Sequence, residues 1–463
     1  MTQLWQLSAT ELTKGFRDRR WTPVEALASI HERLHQINPT LNAVVQLSQE
    51  ALEAAQQSSE RYATGTPIGP LDGVPISIKD NLVMAGAPTT WGTLALKESV
   101  SQHDELPVQR LREAGAVLFA KTNAPEFTLE GYTSNPVYGV TVSPWDINLT
   151  PGGSSGGAAA AVAAGIGPLA LGTDGGGSIR RPAAHCGLVG LKPSIGRIAR
   201  GEGLPQLLLD LEVVGPIARC VEDAELLLNV LEGSDCLDRR SQVLKLPRDR
   251  KLTRLLCITS LDGQPVDPQI RQQVEAAADR FEQFGMRVER TDFPLDLASL
   301  NEAWSDIGKI GLAQLALTNP DWIAQASSKY REMAEAGASL PSTKLWQLLN
   351  VIDELRNQVD GLFTRTDVVL MPSIATLSWP ADEPYPPMID GQPVGPRGHA
   401  IFTGWVNAAG NPAISLPAGL SREGLPIGLQ LIGPWQADHL LLALAARYQH
   451  DQPWQHDYRA LWQ

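Results

Sequence analysis

The sequence predicts an α/β fold with a largely buried sheet. The hydrophobic period switches repeatedly between that of a strand and that of a helix along the chain. Several strand-length runs are apolar throughout, as expected of strands covered on both faces. With 463 residues the chain has ample length for a sizeable core.

The first element is a helix. Thr22 caps it, Pro23 suits the first helical position and Glu25 closes a capping box, after which Val24, Leu27, Ile30, Leu34 and Ile37 recur at helical spacing. A second helix is expected over Gln49 to Tyr62. After the turn-rich Gly69-Pro70-Leu71-Asp72-Gly73, Val74, Ile76 and Ile78 alternate in a strand that delivers Lys79 and Asp80 at its far end. Val108 to Ala114 reads as a helix, Ala116 to Ala120 as a buried strand, Ala158 to Ala164 as a small-residue helix and Leu169 to Gly172 as a short strand. The alternation continues with a helix at Ala224 to Leu231, a strand near Leu255 to Ile258 and a helix at Pro268 to Phe284. Helices are expected over Leu300 to Leu317 and Lys344 to Phe363. Strands return at Asp367 to Met371, Ala413 to Leu416 and Ile427 to Leu431, before a last helix at His439 to Tyr448. The Pro-rich stretch Ser378 to Pro396 reads as a loop over a site, because strand patterns resume after it without a change in composition.

Composition narrows the function. Acidic residues outnumber basic ones by 51 to 38, and the net charge of -13 disfavours binding to a phosphate backbone. Four cysteines without a C-x-x-C pair read as reduced thiols of a cytoplasmic protein. Met1 to Arg20 lacks the apolar core of a signal peptide. The low-polarity stretch Gly156 to Thr173 is too short and too rich in Ala and Gly to span a bilayer, so no membrane role is expected.

Two glycine-rich segments stand out. Pro151-Gly152-Gly153-Ser154-Ser155-Gly156-Gly157 runs straight into the Ala-rich helix, which a flexible linker would not do. Gly172-Thr173-Asp174-Gly175-Gly176-Gly177-Ser178 places three glycines before a serine, a pattern that can turn several N–H groups toward an oxyanion or a phosphate. No G-x-x-x-x-G-K-[ST] loop and no G-x-G-x-x-G opening a βαβ unit is present. Gly152 to Gly156 formally fits G-x-S-x-G, but no apolar strand precedes it, and the late histidines His399 and His439 make poor bases. No S-x-x-K occurs. Lys79 remains: a lysine closing an apolar strand, in dry surroundings among hydroxyls, has a lowered pKa and can accept a proton. Adjacent His185 and Cys186 are expected to pack in the core rather than face each other.

Together these residues resemble the amidase signature family of Ser-Ser-Lys hydrolases. Gly152 to Pro182 fits the family pattern position by position, with Gly-Gly-Ser-Ser-Gly-Gly followed by Val162, Gly172, Asp174, Gly176, Ser178-Ile179-Arg180 and Pro182. Gly73 to Asn81, Lys121-Thr122-Asn123, Gly187 to Pro193, Asn407 to Ala413 and Gly424 to Gln430 are similar to its flanking segments. The resemblance implies one domain over 1–463, with a large mixed, mostly buried sheet flanked on both faces by helices. Its catalytic core would lie at 67–200 and 400–450, with a divergent, helix-rich substrate-side region at 205–365. Ser178 would be the nucleophile, Ser154 would follow a cis peptide bond and bridge to Lys79, and Lys79 would be the base. Gly175, Gly176, Gly177 and Ser178 would supply oxyanion N–H groups, with Ser155, Thr173, Asp174 and Arg180 orienting the set. Arg180 would also help keep Lys79 neutral if it lies close, whereas Arg181 occupies a variable slot and receives no role.

No cofactor and no metal are implied. The expected substrate is a small aryl or alkyl amide, with Phe127, Tyr132 and Trp405 as pocket residues and Trp91 and Trp145 as further aromatic candidates. No macromolecular partner is required, and a homodimer is compatible with this reading. The alternative within the family is the glutaminase component of glutamyl-tRNA(Gln) amidotransferase, and a third reading is an amidase-like binding protein without activity.

Overall fold

The alternating periods resolve into one mixed sheet of eleven strands, in a computed structural model that describes residues 3–244, 251–454 and 461. The strands are β1 (Val44–Leu47), β2 (Pro75–Lys79), β3 (Val117–Thr122), β4 (Leu169–Asp174), β5 (Val189–Lys192) and β6 (Val213–Ala218). They continue as β7 (Arg254–Cys257), β8 (Arg287–Arg290), β9 (Val368–Pro372), β10 (Ala413–Leu420) and β11 (Pro426–Ile432). Across the sheet the order is β1-β3-β2-β4-β6-β5-β10-β11-β9-β7-β8. β2 is parallel to β3 and β4, and β7 to β8 and β9, while the other pairs are antiparallel.

Both faces are covered. Successive residues of β9 enter different apolar clusters, Val368 and Leu370 one, Val369 and Met371 the other, as the period of a strand requires. β2, β3, β4, β5, β6, β9 and β11 are buried at every position, and only the edge strands β1 and β8 are largely open.

The expected helices form, among them Pro23–Leu41, Gly156–Ala163, Ala298–Thr318, Ser342–Arg365 and Asp438–Asp451. At the first, Thr22 N–H donates to Glu25 Oε2 at 2.7 Å and Glu25 N–H to Thr22 Oγ1 at 3.2 Å, the expected capping box. Four strands lay outside the sequence expectation. β1 is short, β5 has a glycine at its second position, β6 carries Gly215-Pro216, and β8 is Arg-Val-Glu-Arg on an exposed edge. Pro216 stands opposite Leu171 of β4, while the ladder with β5 pairs only Ala218 and Ile217 and stops short of it. The region 205–365 therefore contributes β6, β7 and β8 to the sheet as well as helices. The stretch Ser378 to Pro396 contains a small hairpin pairing Met388 with Pro393 and Ile389 with Gln392.

This order sets the site. β2 and β4 run parallel in register, Ile78 opposite Leu171, so Lys79 and the Gly172–Thr173 end of β4 emerge side by side at one sheet edge. The fully buried Gly156–Ala163 helix packs close to the chain after β3. A β-carbon on Gly157 would lie 2.5 Å from the Asn123 nitrogen and 2.6 Å from its carbonyl oxygen. Gly157→Ala should therefore destabilise the fold by about 1–3 kcal/mol. Gly361, on a helix with nothing within 4 Å of its β-carbon position, should gain roughly 1 kcal/mol as alanine. Unfolding midpoints moving in opposite directions are expected; an unchanged midpoint for Gly157→Ala would contradict the close approach.

Candidate active site

Lys79 is fully buried. Its Nζ lies 2.7 Å from Ser154 Oγ, 2.9 Å from Thr173 Oγ1 and 3.4 Å from the Thr173 carbonyl oxygen. Among the described residues no carboxylate comes within ion-pair distance of it. Burial pushes its pKa down to about 7; Glu212 and Asp174 oppose the shift, and the cations Arg200 and Arg181 add to it. The expected electrostatic help from Arg180 is thus corrected: the cations that act on Lys79 are Arg200 and Arg181, while Arg180 is paired with Asp174.

The two serine loops are tied to each other. The Gly153–Ser154 peptide bond is cis. A β-carbon on Gly153 would lie 2.5 Å from the Tyr132 carbonyl oxygen, so the backbone of Tyr132 walls this turn. Ser155 N–H donates to the Ser178 carbonyl at 3.1 Å, and Ser155 Oγ donates to the Thr173 carbonyl at 3.1 Å. Asn81 Nδ2 donates to Thr173 Oγ1 at 3.0 Å. Ser178 is 5% exposed, and its Oγ has no hydrogen-bond partner among the described residues.

Asp174 organises the second loop. Its carboxylate accepts from the N–H groups of Gly177 (2.7 Å) and Ile179 (3.1 Å) and pairs with Arg180 at 3.0 Å, with both side chains fully buried. Burial alone would raise its pKa, but the Arg180 charge and hydrogen bonds from Arg180 and Asn407 hold it well below the usual carboxylate range. Gly177 N–H is consequently engaged, which removes it from the expected oxyanion donors. Gly175, Gly176 and Ser178 keep backbone N–H groups without a partner among the described residues. Gly176 is also the one position between Thr150 and Ser194 that is not buried, so the loop opens outward there. Its carbonyl accepts from Thr403 Oγ1 at 2.7 Å.

Beyond Gly176 lies a cavity of about 620 Å³, lined by Leu297, Leu300, Trp304, Val394, Arg397 and Trp405 among others. Trp405 is among the residues lining this cavity. Phe127 does not line this cavity: it is fully buried, edge-on to Trp91 and Tyr330. Tyr132 packs against Ala184, Ile374 and Trp379 instead. Trp304, in the expected helix over Leu300 to Leu317, and Arg397 were not singled out by the sequence, whereas Thr403 lies in the Phe402 to Asn407 segment that resembles a pocket wall. His185 and Cys186 are both buried, and burial first, then Arg181, lowers the imidazole to about 3. The imidazole Nδ1 meets Ser378 Oγ at 3.0 Å rather than the thiol. Among the described residues no group of three His, Cys, Asp or Glu side chains has the arrangement of a metal site, and no helix is long and apolar enough to cross a membrane.

Comparison with known proteins decides the family. The Amidase family model matches residues 25–442. The chain belongs to the amidase signature family, enzymes that hydrolyse amide C–N bonds. A glutamyl-tRNA(Gln) amidotransferase subunit of a Cyanothece species is 34% identical over 97% of this chain and 98% of its own length. A bacterial aryl acylamidase of the amidase signature family superimposes with a TM-score of 0.90 at 31% identity, covering 98% of both chains. A 6-aminohexanoate cyclic dimer hydrolase, solved with its substrate, reaches a TM-score of 0.90 at 28% identity over 100% of both chains.

A base at Lys79 would give amide hydrolysis a pH dependence. A lysine with a lowered pKa is the charged, proton-bearing acid below that value and the free base above it. Amide hydrolysis should therefore be slow below pH 6 and rise through about 7 to a plateau. A rate profile flat from pH 5 to 9 would contradict a Lys79 base.

Proposed function

We propose that this amidase acts on small aryl or alkyl amides as a free-standing enzyme, through an acyl-enzyme on Ser178 with Ser154 and Lys79 as relay and base. The observation that carries the reading is the buried Lys79 amine, shifted to about 7 and 2.7 Å from Ser154 Oγ. A neutral Nζ accepts the Ser154 proton while Ser154 takes the proton of Ser178, whose Oγ attacks the carbonyl carbon. The oxyanion of the tetrahedral intermediate is met by the N–H groups of Gly175, Gly176 and Ser178, where loss of a single donor typically costs about 10²–10³ in turnover. The Lys79 ammonium then returns its proton through Ser154 to the departing nitrogen, without which an amide has a very poor leaving group. Water repeats the same proton path to release the carboxylate.

The apolar part of the cavity wall, Leu297, Leu300, Trp304, Val394 and Trp405, supports an aryl or alkyl group on the substrate. Four free cysteines support a cytoplasmic setting. Full-length similarity to glutamyl-tRNA(Gln) amidotransferase subunits favours a second reading, the glutaminase component of such a complex. Retention of Lys79, Ser154 and Ser178 argues against a binding protein without activity.

One panel tests these readings. Anilides, short aliphatic amides and glutamine are offered to the wild type, and amine or ammonia release is followed. The proposal predicts turnover of an anilide or aliphatic amide in preference to glutamine. Ser178→Ala should lower that turnover at least about 10⁴-fold and end labelling by a serine-directed phosphonate. Lys79→Ala should lose activity with the fold retained. Glutamine as the preferred substrate would favour the second reading, and full activity in Ser178→Ala would sink the acyl-enzyme.

A further inference from the structure

Two guanidinium groups flank the open point of the oxyanion loop without a counter-ion. A β-carbon on Gly176 would lie 3.3 Å from Trp304 Cζ2 and 4.0 Å from Arg397 Nη2, and one on Gly404 would lie 3.7 Å from the same Nη2. Arg397 sits over the Trp304 ring, 5.5 Å from its centroid, at the exposed rim of the cavity. That stacking keeps the planar cation along the wall while leaving its edge free. Arg181 approaches from the other side. Its Nε donates to the Gly177 carbonyl at 3.3 Å and its Nη1 to His399 Nε2 at 3.3 Å, and the side chain is 6% exposed.

Among the described residues no carboxylate lies within 4.0 Å of either guanidinium. Glu130, whose charge acts on both, is bonded instead to Lys329 Nζ and to Tyr330 Oη. Asp262 lines the same cavity without pairing with either arginine. His399 is kept neutral by burial first and then by Arg181, so it does not offset the charge. Burial and the proximity of Arg397 both act against the charge of Arg181. Arginine nevertheless stays protonated in proteins, so this buried charge, favoured only at a distance by Asp174 and Glu130, has no carboxylate in contact with it among the described residues.

We infer that Arg397 and Arg181 form an anion subsite beside the oxyanion loop, and that the preferred anilide or aliphatic amide carries a carboxylate, without the α-ammonium of glutamine, a short chain away from its scissile carbonyl. The inference rests on the hydrolase reading and narrows its substrate class. A guanidinium fork suits a carboxylate through paired, charge-assisted N–H···O bonds. The contact to Gly176 puts that anion near the reacting carbonyl rather than at the far end of the cavity, whose apolar wall takes the remainder of the substrate.

The test compares acetanilide with succinanilate, which carries the carboxylate on the acyl side, and with 4-acetamidobenzoate, which carries it on the leaving amine. At least one carboxylated amide should exceed acetanilide in kcat/KM by tenfold or more. Arg397→Ala should reduce that ratio at least tenfold, and Arg397→Lys should restore part of it. Independently of turnover, succinate should bind the wild type in calorimetry and bind Arg397→Ala at least tenfold more weakly. Acetanilide turned over faster than both carboxylated amides, or succinate binding equal in the wild type and Arg397→Ala, would overturn the subsite. If Ser178 is not labelled and no amide is cleaved, the hydrolase reading fails, whereas succinate binding still decides the subsite.

Discussion

A lysine amine buried without a carboxylate beside it is the constraint on which the rest of this molecule depends. Transferring an ammonium out of water costs several kcal/mol after relaxation, so the Lys79 pKa falls to about 7 and the neutral amine is well populated near pH 7. Lys79 can stay there because hydroxyls and a carbonyl, rather than charges, surround it: Ser154 Oγ, Thr173 Oγ1 and the Thr173 carbonyl. Among the described residues two other lysines are fully buried, with pKa values pushed down by burial to about 8 for Lys121 and about 7 for Lys192. Lys121 is tied to the Leu82 carbonyl and Thr89 Oγ1, with Asp80 at 3.8 Å, and Lys192 donates to the Pro193 carbonyl. Only Lys79 of the three reaches a serine on a facing loop.

A second buried pair makes that environment rigid. The Asp174–Arg180 ion pair holds the loop before Ser178, and Arg180 extends it to Gln430 Oε1 at 3.0 Å, Asn407 Oδ1 at 2.6 Å and the Thr403 carbonyl at 3.1 Å. Residues more than 200 positions apart thus share one polar network at the centre of the sheet. Breaking a buried pair by removing one partner typically costs about 3–5 kcal/mol, because the remaining charge is stranded. The charge that opposes protonation of Lys79 comes from elsewhere, from Arg200 and Arg181.

Much of this was legible in the sequence because it is local. A capping box at Thr22, an apolar alternation ending at Lys79 and glycines entering the Gly156–Ala163 helix are patterns over a few residues. The family resemblance then tied Lys79, Ser154 and Ser178 together across a hundred positions. What stayed hidden is what only tertiary packing makes. Thr403 and Arg397 meet the Gly176 loop from far down the chain, and Trp304 sits in a helix whose pattern signals only burial. Gly177 looked like an oxyanion donor because three glycines in a row are equivalent on paper; the Asp174 carboxylate selects one of them for a structural bond. Phe127, a pocket candidate whose sequence context already favoured the core, is closed in by Trp91 and Tyr330. β6 and β8 escaped because a Gly-Pro pair and an Arg-Val-Glu-Arg edge contradict the usual strand pattern.

The titration of Lys79 itself tests this account most directly. Lysine labelled with ¹³C at Cε, assigned by the signal lost in Lys79→Met, is followed by NMR from pH 5 to 11. The account predicts a midpoint near 7 for the Lys79 signal. A midpoint near the ordinary lysine value, about 10.4, would contradict it.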